Sequence, residues 1–380
     1  MSSLTQQGAD APPRRIGSSP AAVPAATTTP VAPERPGAGR RRDPYLDNAK
    51  YLAILLVAVG HVLPVVVEGS RATRALYMLV YAFHMPTFVL ISGHLSRSYV
   101  GRPDQLRRLL TGVALPYLVF EVAYTLLIRW GAQPERPYSL LHPSYLMWFL
   151  IALFVWRTTA PFWSVVRWPV ALSLAIAAAA AVTPDLDGVV GMQRVLQFLP
   201  FFVIGLRMRP EHFRLLRRRS VRAVAVLVLA GALPFTYWAT ASIYITWFYR
   251  TVSAQEMGVA WGPGLVRVGA LFVCATILTA AFLALVPGRR VWFTTLGSGT
   301  LCGYLLHGFL VRGGQYSGFF DRFPWLNTPG GRVFLTVATI AVMTLLCTPV
   351  VRRVLRPVTE PELRWAFRPD GRGGGGHGRR

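Results

Sequence analysis

Long apolar runs separated by short arginine-rich segments constrain this chain more than any other sequence feature. A helix that crosses a bilayer needs roughly 20 mostly apolar residues. Of the 380 residues, 53% are hydrophobic and 15% are charged, whereas soluble domains are about a quarter charged. The pattern predicts an all-α, polytopic membrane helix bundle of about ten transmembrane helices. The candidate spans are about 48–67, 75–95, 108–128, 145–161, 168–183, 195–207, 221–241, 264–286, 291–312 and 331–351.

The arginines orient these spans, because cytoplasmic loops of membrane proteins carry an excess of Lys and Arg. With the N-terminus inside, the inner loops hold fifteen arginines and the outer loops hold seven. Both termini are therefore predicted to be cytoplasmic. One transmembrane domain is predicted at 44–356. It lies between two tails, 1–43 and 357–380, whose polar, glycine-rich or proline-rich composition predicts disorder.

The net charge of +24 would favour a nucleic-acid partner if it covered one soluble face. Here the arginines flank apolar spans, so they indicate topology and contacts with anionic lipids, and no nucleic acid is expected. Cys274, Cys302 and Cys347 lie in apolar runs without metal-ligand spacing, so neither a metal site nor a disulfide framework is predicted. We expect a multi-pass protein of the plasma membrane, with the lipid bilayer as its partner.

Lys50 is the single lysine among forty cationic side chains. It lies at the predicted cytoplasmic mouth of the first span, and His61 follows eleven residues later, near the middle of the bilayer. Eleven residues make about three helical turns, so both side chains share a face, and Asp47 joins that face. The pattern indicates a site with a cation at its mouth and an imidazole in its depth. A lysine that only extends to the interface is the alternative for Lys50.

Ionisable side chains inside a membrane are costly and usually face a bundle interior or a wet cavity. His61, His84 and Glu121 lie at similar depth in three consecutive predicted spans, and His307 lies deep in the ninth. This placement favours a shared polar chamber that binds substrate, and unrelated interhelical hydrogen bonds are the alternative. Tyr304 shares a helical face with His307.

Residues near the span ends allow two interpretations each. Arg97, Arg107 and Arg108 form a cytoplasmic group that could bind the phosphates of a cofactor, or act only as topology signals. Trp148, near the outer end of the fourth span, is either an interfacial anchor or a surface on which a sugar stacks.

Five segments, in order, resemble the acyltransferase-3 family of integral-membrane acyltransferases, especially its fucose-4-O-acetylase-like branch. The first-span signature of that family is a cation, ten residues and then a histidine, which Lys50 and His61 fit. The resemblance covers about 45–355. The matching segments are 42–50 with Gly60-His61, 83–86 with Ser92-Gly93, 115–117, 147–150 and 304–307.

The resemblance implies ten spans, a cytoplasmic acyl-CoA donor, usually acetyl-CoA, and an extracytoplasmic sugar or glycan hydroxyl as acceptor. It also implies His61 as the main catalytic residue. Members often carry Arg-x-x-Arg before the third span to contact the donor, but Arg108 is followed by Thr111 here, so the pair is incomplete. No soluble domain is predicted after the last span, so we expect transfer to finish within the membrane domain or to pass the acceptor to a partner.

An alcohol is a poor nucleophile at neutral pH, and a positioned histidine can take its proton. We expect His61 to act as general base, with an acyl-histidine intermediate if transfer has two steps. Lys50, paired with Asp47, would bind the donor, while Glu121 or His84 would orient His61 or hold the acceptor. A transporter or flippase of lipid-linked sugars would need a similar chamber without consuming acyl-CoA. A scaffold protein would tolerate the loss of each residue.

Overall fold

The computed structural model of the protein describes residues 43–361 and Trp365. This part of the chain is helical and contains no strand, which confirms the all-α class. The tails predicted at 1–43 and 357–380 fall mostly outside the described residues. Where the prediction and the description overlap, the last helix continues to Thr359, three residues past the predicted boundary at 356.

Sixteen α-helices are described between residues 43 and 361. In chain order they are α1 (Pro44–Val62), α2 (Arg71–Ser96), α3 (Pro103–Leu109), α4 (Leu115–Gly131), α5 (Trp148–Thr158), α6 (Ala160–Val165), α7 (Pro169–Ala181), α8 (Met192–Arg207), α9 (Pro210–Leu216), α10 (Arg219–Ala239), α11 (Thr246–Tyr249), α12 (Trp261–Leu285), α13 (Thr300–Tyr316), α14 (Phe319–Arg322), α15 (Pro329–Leu346) and α16 (Pro349–Thr359). A π-helical segment joins α3 to α4, and short 3₁₀ segments follow α1 and precede α13 and α15.

Within the described chain, six helices are long and apolar enough to cross a membrane: α1 with its 3₁₀ extension, α2, α3 joined to α4, α10, α12 and α15. In α10 and α15, only 11% of the apolar stretch is buried within the protein. Apolar faces this extensive need a lipid environment, and the chain is a membrane protein. The other four predicted spans overlap α5, α7, α8 and α13, which have 11, 13, 16 and 17 residues. The count of ten spans therefore stays a prediction.

Hydrogen bonds of two side chains, Asp43 and Asn48, fix the start of α1. Asp43 caps the helix by accepting from the backbone N–H of Tyr45 at 2.9 Å. Asn48 is fully buried; its amide donates to the carbonyls of Pro287 and Arg289, and its Oδ1 accepts from Thr294. Because every polar atom of this amide has a partner, its burial is stabilising and fixes the axial position of α1.

The pairing of α2 with α8 relies on two glycines that let the helix backbones touch. A side chain at Gly93 would collide with the carbonyl of Phe202, and one at Gly205 would collide with the carbonyl of Leu90. Contacts this close are possible only where a Cβ is missing. The approach brings the beginning of α8 beside the first half of α2, where the candidate site lies.

The helix ends form two groups that are used below. The "cavity end" contains the end of α1, the beginnings of α2, α5 and α8, the end of α13 and the loop around 240–260. The "lysine end" contains the beginning of α1, the end of α2, and α3. Along α1, the two are separated by the eleven residues from Lys50 to His61, about 16 Å of helix.

Candidate active site

A cavity of about 330 Å³ opens at the cavity end of the bundle. Its wall combines imidazoles, phenols and guanidinium groups from six parts of the sequence. We call it the His61 cavity. The lining residues are His61, Pro64, Tyr77, Tyr81, His84, Met85, Tyr145, Trp148, Arg194, Phe198, Phe248, Tyr249, Thr251, Arg312 and Gln315.

His61 lies in the last turn of α1 and is surrounded by aromatic rings. Its Nδ1 lies 3.0 Å from Oη of Tyr145, and the two rings meet edge to face with centroids 5.1 Å apart. The rings of His307 and Tyr81 lie 5.4 and 6.3 Å away. Gly60, just before the histidine, leaves room for the ring of Tyr81, which would be 3.2 Å from an added Cβ. The imidazole is therefore held in orientation by a phenol.

Tyr145 belongs to a short connection before α5 that is held in a costly conformation. Its φ is +52°, a left-handed backbone that is unfavourable for a residue with a side chain. Glu121 fixes the preceding residue, since both carboxylate oxygens accept from the backbone N–H of Ser144, at 2.9 and 2.8 Å. The hydroxyl of Tyr304 donates to the carbonyl of Leu146 on the other side. These contacts hold the 144–148 segment so that Tyr145 reaches His61.

Glu121 and Tyr304 thus do not line the His61 cavity, although the sequence grouped them with substrate-binding residues. Glu121 is 1% exposed and lies behind the 144–148 segment. The hydroxyl of Ser144 also lies 3.2 Å from the guanidinium of Arg136 and 3.3 Å from Thr125. A buried carboxylate needs hydrogen-bond donors, and the backbone N–H of Ser144 donates to both oxygens of Glu121. Their geometry makes Glu121 and Tyr304 supports for the segment.

His84 and His307 differ from His61 in the partner of Nδ1. In His84, Nδ1–H donates to the carbonyl of Val80 at 2.8 Å, and in His307 to that of Gly303 at 3.0 Å. A carbonyl only accepts, so each neutral ring keeps its lone pair on Nε2. Nε2 of His307 is buried and has no hydrogen-bond partner in the described part of the chain. The phenol beside His61 can donate or accept and leaves its tautomer open.

Two arginines lie on aromatic rings of the 144–148 segment. The guanidinium of Arg312 lies 4.2 Å from the ring centre of Tyr145, and that of Arg194 lies 5.0 Å from the ring centre of Trp148. Trp148 itself is 8% exposed and stacks on Phe198 at 5.5 Å. An interfacial anchor would face lipid headgroups, whereas this ring faces the cavity.

One carboxylate approaches these cations from outside the predicted spans. Oδ2 of Asp187 lies 3.6 Å from a terminal nitrogen of Arg194. The pKa of Asp187 is raised, because the effect of burial exceeds the opposite effect of the Arg194 guanidinium. This carboxylate is absent from the residues that line the cavity.

The predicted donor residues lie at the lysine end. Nζ of Lys50 and Oδ1 of Asp47 form an ion pair at 2.8 Å, with side chains 22% and 12% exposed. Arg97 and Arg108 are exposed and Arg107 is half-buried, near the junction of α2 and α3. None of these five lines the His61 cavity. The structure brings His61, His84, Trp148 and His307 together and leaves the cationic group at the opposite end.

The sequence did not single out Tyr145, Arg194 or Arg312. Arg194 counted against the predicted orientation as a cation in an outer loop, and Arg312 stood at the end of a span. A charged residue at such a position is a weak signal, because an interfacial arginine gives the same pattern. Tyr145 stood at the start of a span, where an interfacial tyrosine is ordinary.

A comparison with known protein families shows to which family the chain belongs. A profile described as an acyltransferase domain, that of the acyltransferase-3 family, matches residues 43–348. The chain belongs to the acyltransferase-3 family. Neither the curated proteins nor the solved structures contain a match to it.

Membership of the acyltransferase-3 family makes the protein a membrane acyltransferase in its general activity. The matched range begins just before α1 and ends between α15 and α16, so it includes the His61 cavity and the Lys50–Asp47 pair. The family match, however, extends to neither the donor, the acceptor nor the branch within the family.

Proposed function

We propose that the protein is an O-acyltransferase that moves an acyl group, most simply acetyl, from cytoplasmic acyl-CoA to a hydroxyl of a sugar or glycan outside the plasma membrane. One observation carries the proposal: a single helix, α1, has His61 in a cavity at one end and the Lys50–Asp47 pair at the other. A donor and an acceptor that approach from opposite ends would meet along this helix. The motifs of the fucose-4-O-acetylase-like branch make that branch the proposed relative.

The proposed topology has ten spans and both termini in the cytoplasm. The arginine bias supports it, and so does the grouping of the loops, since every predicted outer loop lies at the cavity end. Cysteines at Glu135 and Ser98, both exposed, would test it. A membrane-impermeant maleimide should label Glu135→Cys in intact cells, and Ser98→Cys only after permeabilisation. The reverse pattern would invert the orientation and with it the assignment of donor and acceptor sides.

His61 is the proposed general base. The acceptor hydroxyl gives its proton to Nε2 of His61 while its oxygen attacks the thioester carbonyl carbon. Nε2 is free for this task when Nδ1–H donates to Oη of Tyr145, which would also stabilise the imidazolium that forms. The carbon–sulfur bond then breaks, and the imidazolium returns the proton to the leaving thiolate. The products are an O-acyl ester and free CoA.

The cationic groups at the lysine end are the proposed donor site. CoA carries phosphates, which lysine and arginine bind through charge-assisted hydrogen bonds. Asp47 would hold Lys50 in place, and Arg97, Arg107 and Arg108 would add positive charge beside it. A two-step route through acyl-His61 has one distinguishing observable. Labelled acetyl would remain on the protein when acetyl-CoA is supplied without an acceptor.

The central test is acyl transfer by membranes that carry His61→Ala. General-base catalysis contributes roughly 10²- to 10⁴-fold, so turnover of labelled acetyl-CoA should fall by at least that lower figure. His142→Ala is the matched control, because His142 is an exposed histidine that bonds Ser139 away from the cavity. Normal transfer by His61→Ala at equal expression would end the proposal. Substrate movement without acetyl-CoA consumption in the unmodified protein would instead identify a transporter.

A further inference from the structure

The His61 cavity has a charge imbalance that proton transfer does not need. Arg194 and Arg312 both line it, and no aspartate or glutamate is among its lining residues in the described chain. Arginine stays charged at any physiological pH. A cavity that holds two such groups without a carboxylate in its wall is built for an anion.

Both guanidinium groups retain donors for a ligand. Each arginine has five N–H donors. Arg194 has one carboxylate neighbour, Asp187, at 3.6 Å, and its buried Nε has no hydrogen-bond partner within the described residues. Arg312 donates to Oε1 of Gln315 at 3.2 Å. The guanidinium groups of Arg194 and Arg312 also lie over the rings of Trp148 and Tyr145, 5.0 and 4.2 Å from the ring centres.

Two helix ends add to the positive potential that the two arginines create in the cavity. Trp148 is the first residue of α5, and Arg194 is the third residue of α8. Both helices therefore direct their N-terminal ends toward the cavity. The N-terminal end of a helix carries a partial positive charge that favours anions. The two arginines and the two helix ends reinforce each other.

Tyr145 sets how far the anion lies from the reacting hydroxyl. Its ring carries the guanidinium of Arg312, and its hydroxyl contacts Nδ1 of His61. Base and anion site are thus separated by about one tyrosine side chain. A sugar unit of that size can place a hydroxyl at His61 and an anionic substituent at Arg312 at the same time.

We propose that the acceptor is anionic: a sugar or glycan that bears a carboxylate or phosphate, which Arg312 and Arg194 bind while a neighbouring hydroxyl faces His61. This inference rests on the proposed acyl transfer for its catalytic meaning. The binding site itself can be tested without turnover. Carboxylate and phosphate share the required chemistry, so separate probes distinguish them.

The binding experiment uses the purified full-length protein and measures thermal stabilisation by matched ligands. Methyl glucuronoside and methyl glucoside differ in one carboxylate, and glucose 1-phosphate carries the phosphate. A ligand that binds the folded state raises the melting temperature with its concentration. We expect the glucuronoside, the phosphate or both to stabilise at concentrations where the neutral glycoside does nothing. Arg312→Gln and Arg194→Gln should weaken that binding at least 10-fold.

Controls separate binding from folding and from nonspecific charge. Arg322→Gln removes an exposed arginine in α14, close in sequence to α13, and should leave the affinity unchanged. Arg312→Lys keeps the charge without the planar fork and should lose less than Arg312→Gln. If the glutamine variants fail to fold, Arg312→Lys and the ratio of glucuronoside affinity to glucoside affinity in the unmodified protein still decide the result.

The transfer experiment repeats the comparison with labelled acetyl-CoA. The glutamine variants should raise the acceptor KM for the anionic glycoside at least 10-fold and leave the acetyl-CoA KM unchanged. Equal use of neutral and anionic glycosides, with both variants like Arg322→Gln, would overturn the anionic acceptor while acyl transfer stands. CoA is the remaining alternative ligand. If CoA stabilises the protein, 3′-dephospho-CoA does not, and Arg312→Gln abolishes the effect of CoA, the arginines belong to the donor site and the proposal of an anionic acceptor is wrong. Absence of turnover with every acceptor would contradict the proposed function. The binding experiment would still show whether Arg312 and Arg194 bind an anionic sugar.

Discussion

The two ends of α1 differ in how their polar groups are assembled. At the lysine end, Lys50 pairs with Asp47, three residues earlier on the same helix. At the cavity end, His61 contacts Tyr145, His307 and Tyr81, which come from three other elements. The first arrangement is set by helical periodicity. The second exists only when distant segments have been brought together.

The ends also differ in charge balance. Lys50 has a carboxylate partner, whereas the His61 cavity has two arginines and one carboxylate outside its wall. A partly exposed ion pair is worth about 0–1 kcal/mol, so stability alone does not explain the Lys50–Asp47 pair. A substitution at the lysine end should therefore have modest consequences, whereas the cavity end depends on the contacts that hold the 144–148 segment.

After the loss of His61 itself, the largest effect should come from the support behind Tyr145. Glu121→Ala removes both acceptors for the N–H of Ser144 and should reduce kcat about 100-fold, because the strained Tyr145 loses its position. Glu121→Gln keeps one oxygen and should recover about 10-fold of that loss. The measurement is kcat against acceptor KM in membranes with equal expression. A change in KM alone would show that Glu121 binds the acceptor.

A smaller loss should follow removal of the phenol itself. Tyr145→Phe deletes the hydrogen bond to His61 and leaves the ring under Arg312. A hydrogen bond to a charged group is worth about 1.5–3 kcal/mol, so kcat should fall roughly 10- to 100-fold with a small change in KM. Tyr138→Phe, at an exposed tyrosine nearby in sequence, is the control. An unaltered kcat in Tyr145→Phe would mean that His61 needs no orienting partner.

At the lysine end we expect an effect on donor affinity. Lys50→Ala should raise the acetyl-CoA KM about 3- to 10-fold, since one charge-assisted contact to a phosphate is lost. Lys50→Arg should raise it less, because a cation remains. Initial rates at varied acetyl-CoA, with acceptor held saturating, give both values. If neither variant changes this KM, Lys50 has no donor role and the interfacial alternative holds.

The smallest effect should be a gain. Asp187→Asn removes the carboxylate beside Arg194 and should tighten anionic glycoside binding about 3-fold, since partly exposed pairs contribute about 0–1 kcal/mol. Asp185→Asn, two residues away in the same loop, is the control. Weaker binding in Asp187→Asn would show instead that the carboxylate orients Arg194.

The helical class and the long spans followed from the sequence because burial in lipid demands apolar runs of a fixed length. The six long helices lie close to predicted spans, and the pairing of Asp47 with Lys50 followed from their spacing. Four shorter helices show where this reasoning weakens. These helices have 11, 13, 16 and 17 residues, fewer than the roughly 20 that a span needs, so length does not identify them as spans.

The sequence by itself placed His61 and His84 in apolar helices and Lys50 three turns from His61 on the same helix. It placed Glu121 and Tyr304 among substrate-binding groups, because depth is all that a single span reveals. Only the tertiary structure decided which way these side chains are used: Glu121 and Tyr304 fix the 144–148 segment, which brings Tyr145 to His61 and places Tyr145 and Trp148 against Arg312 of α13 and Arg194 of α8. The reason is physical. Periodicity fixes which residues share a helix face, whereas a contact such as that of His61 with Tyr145, 84 positions away, depends on how the helices pack.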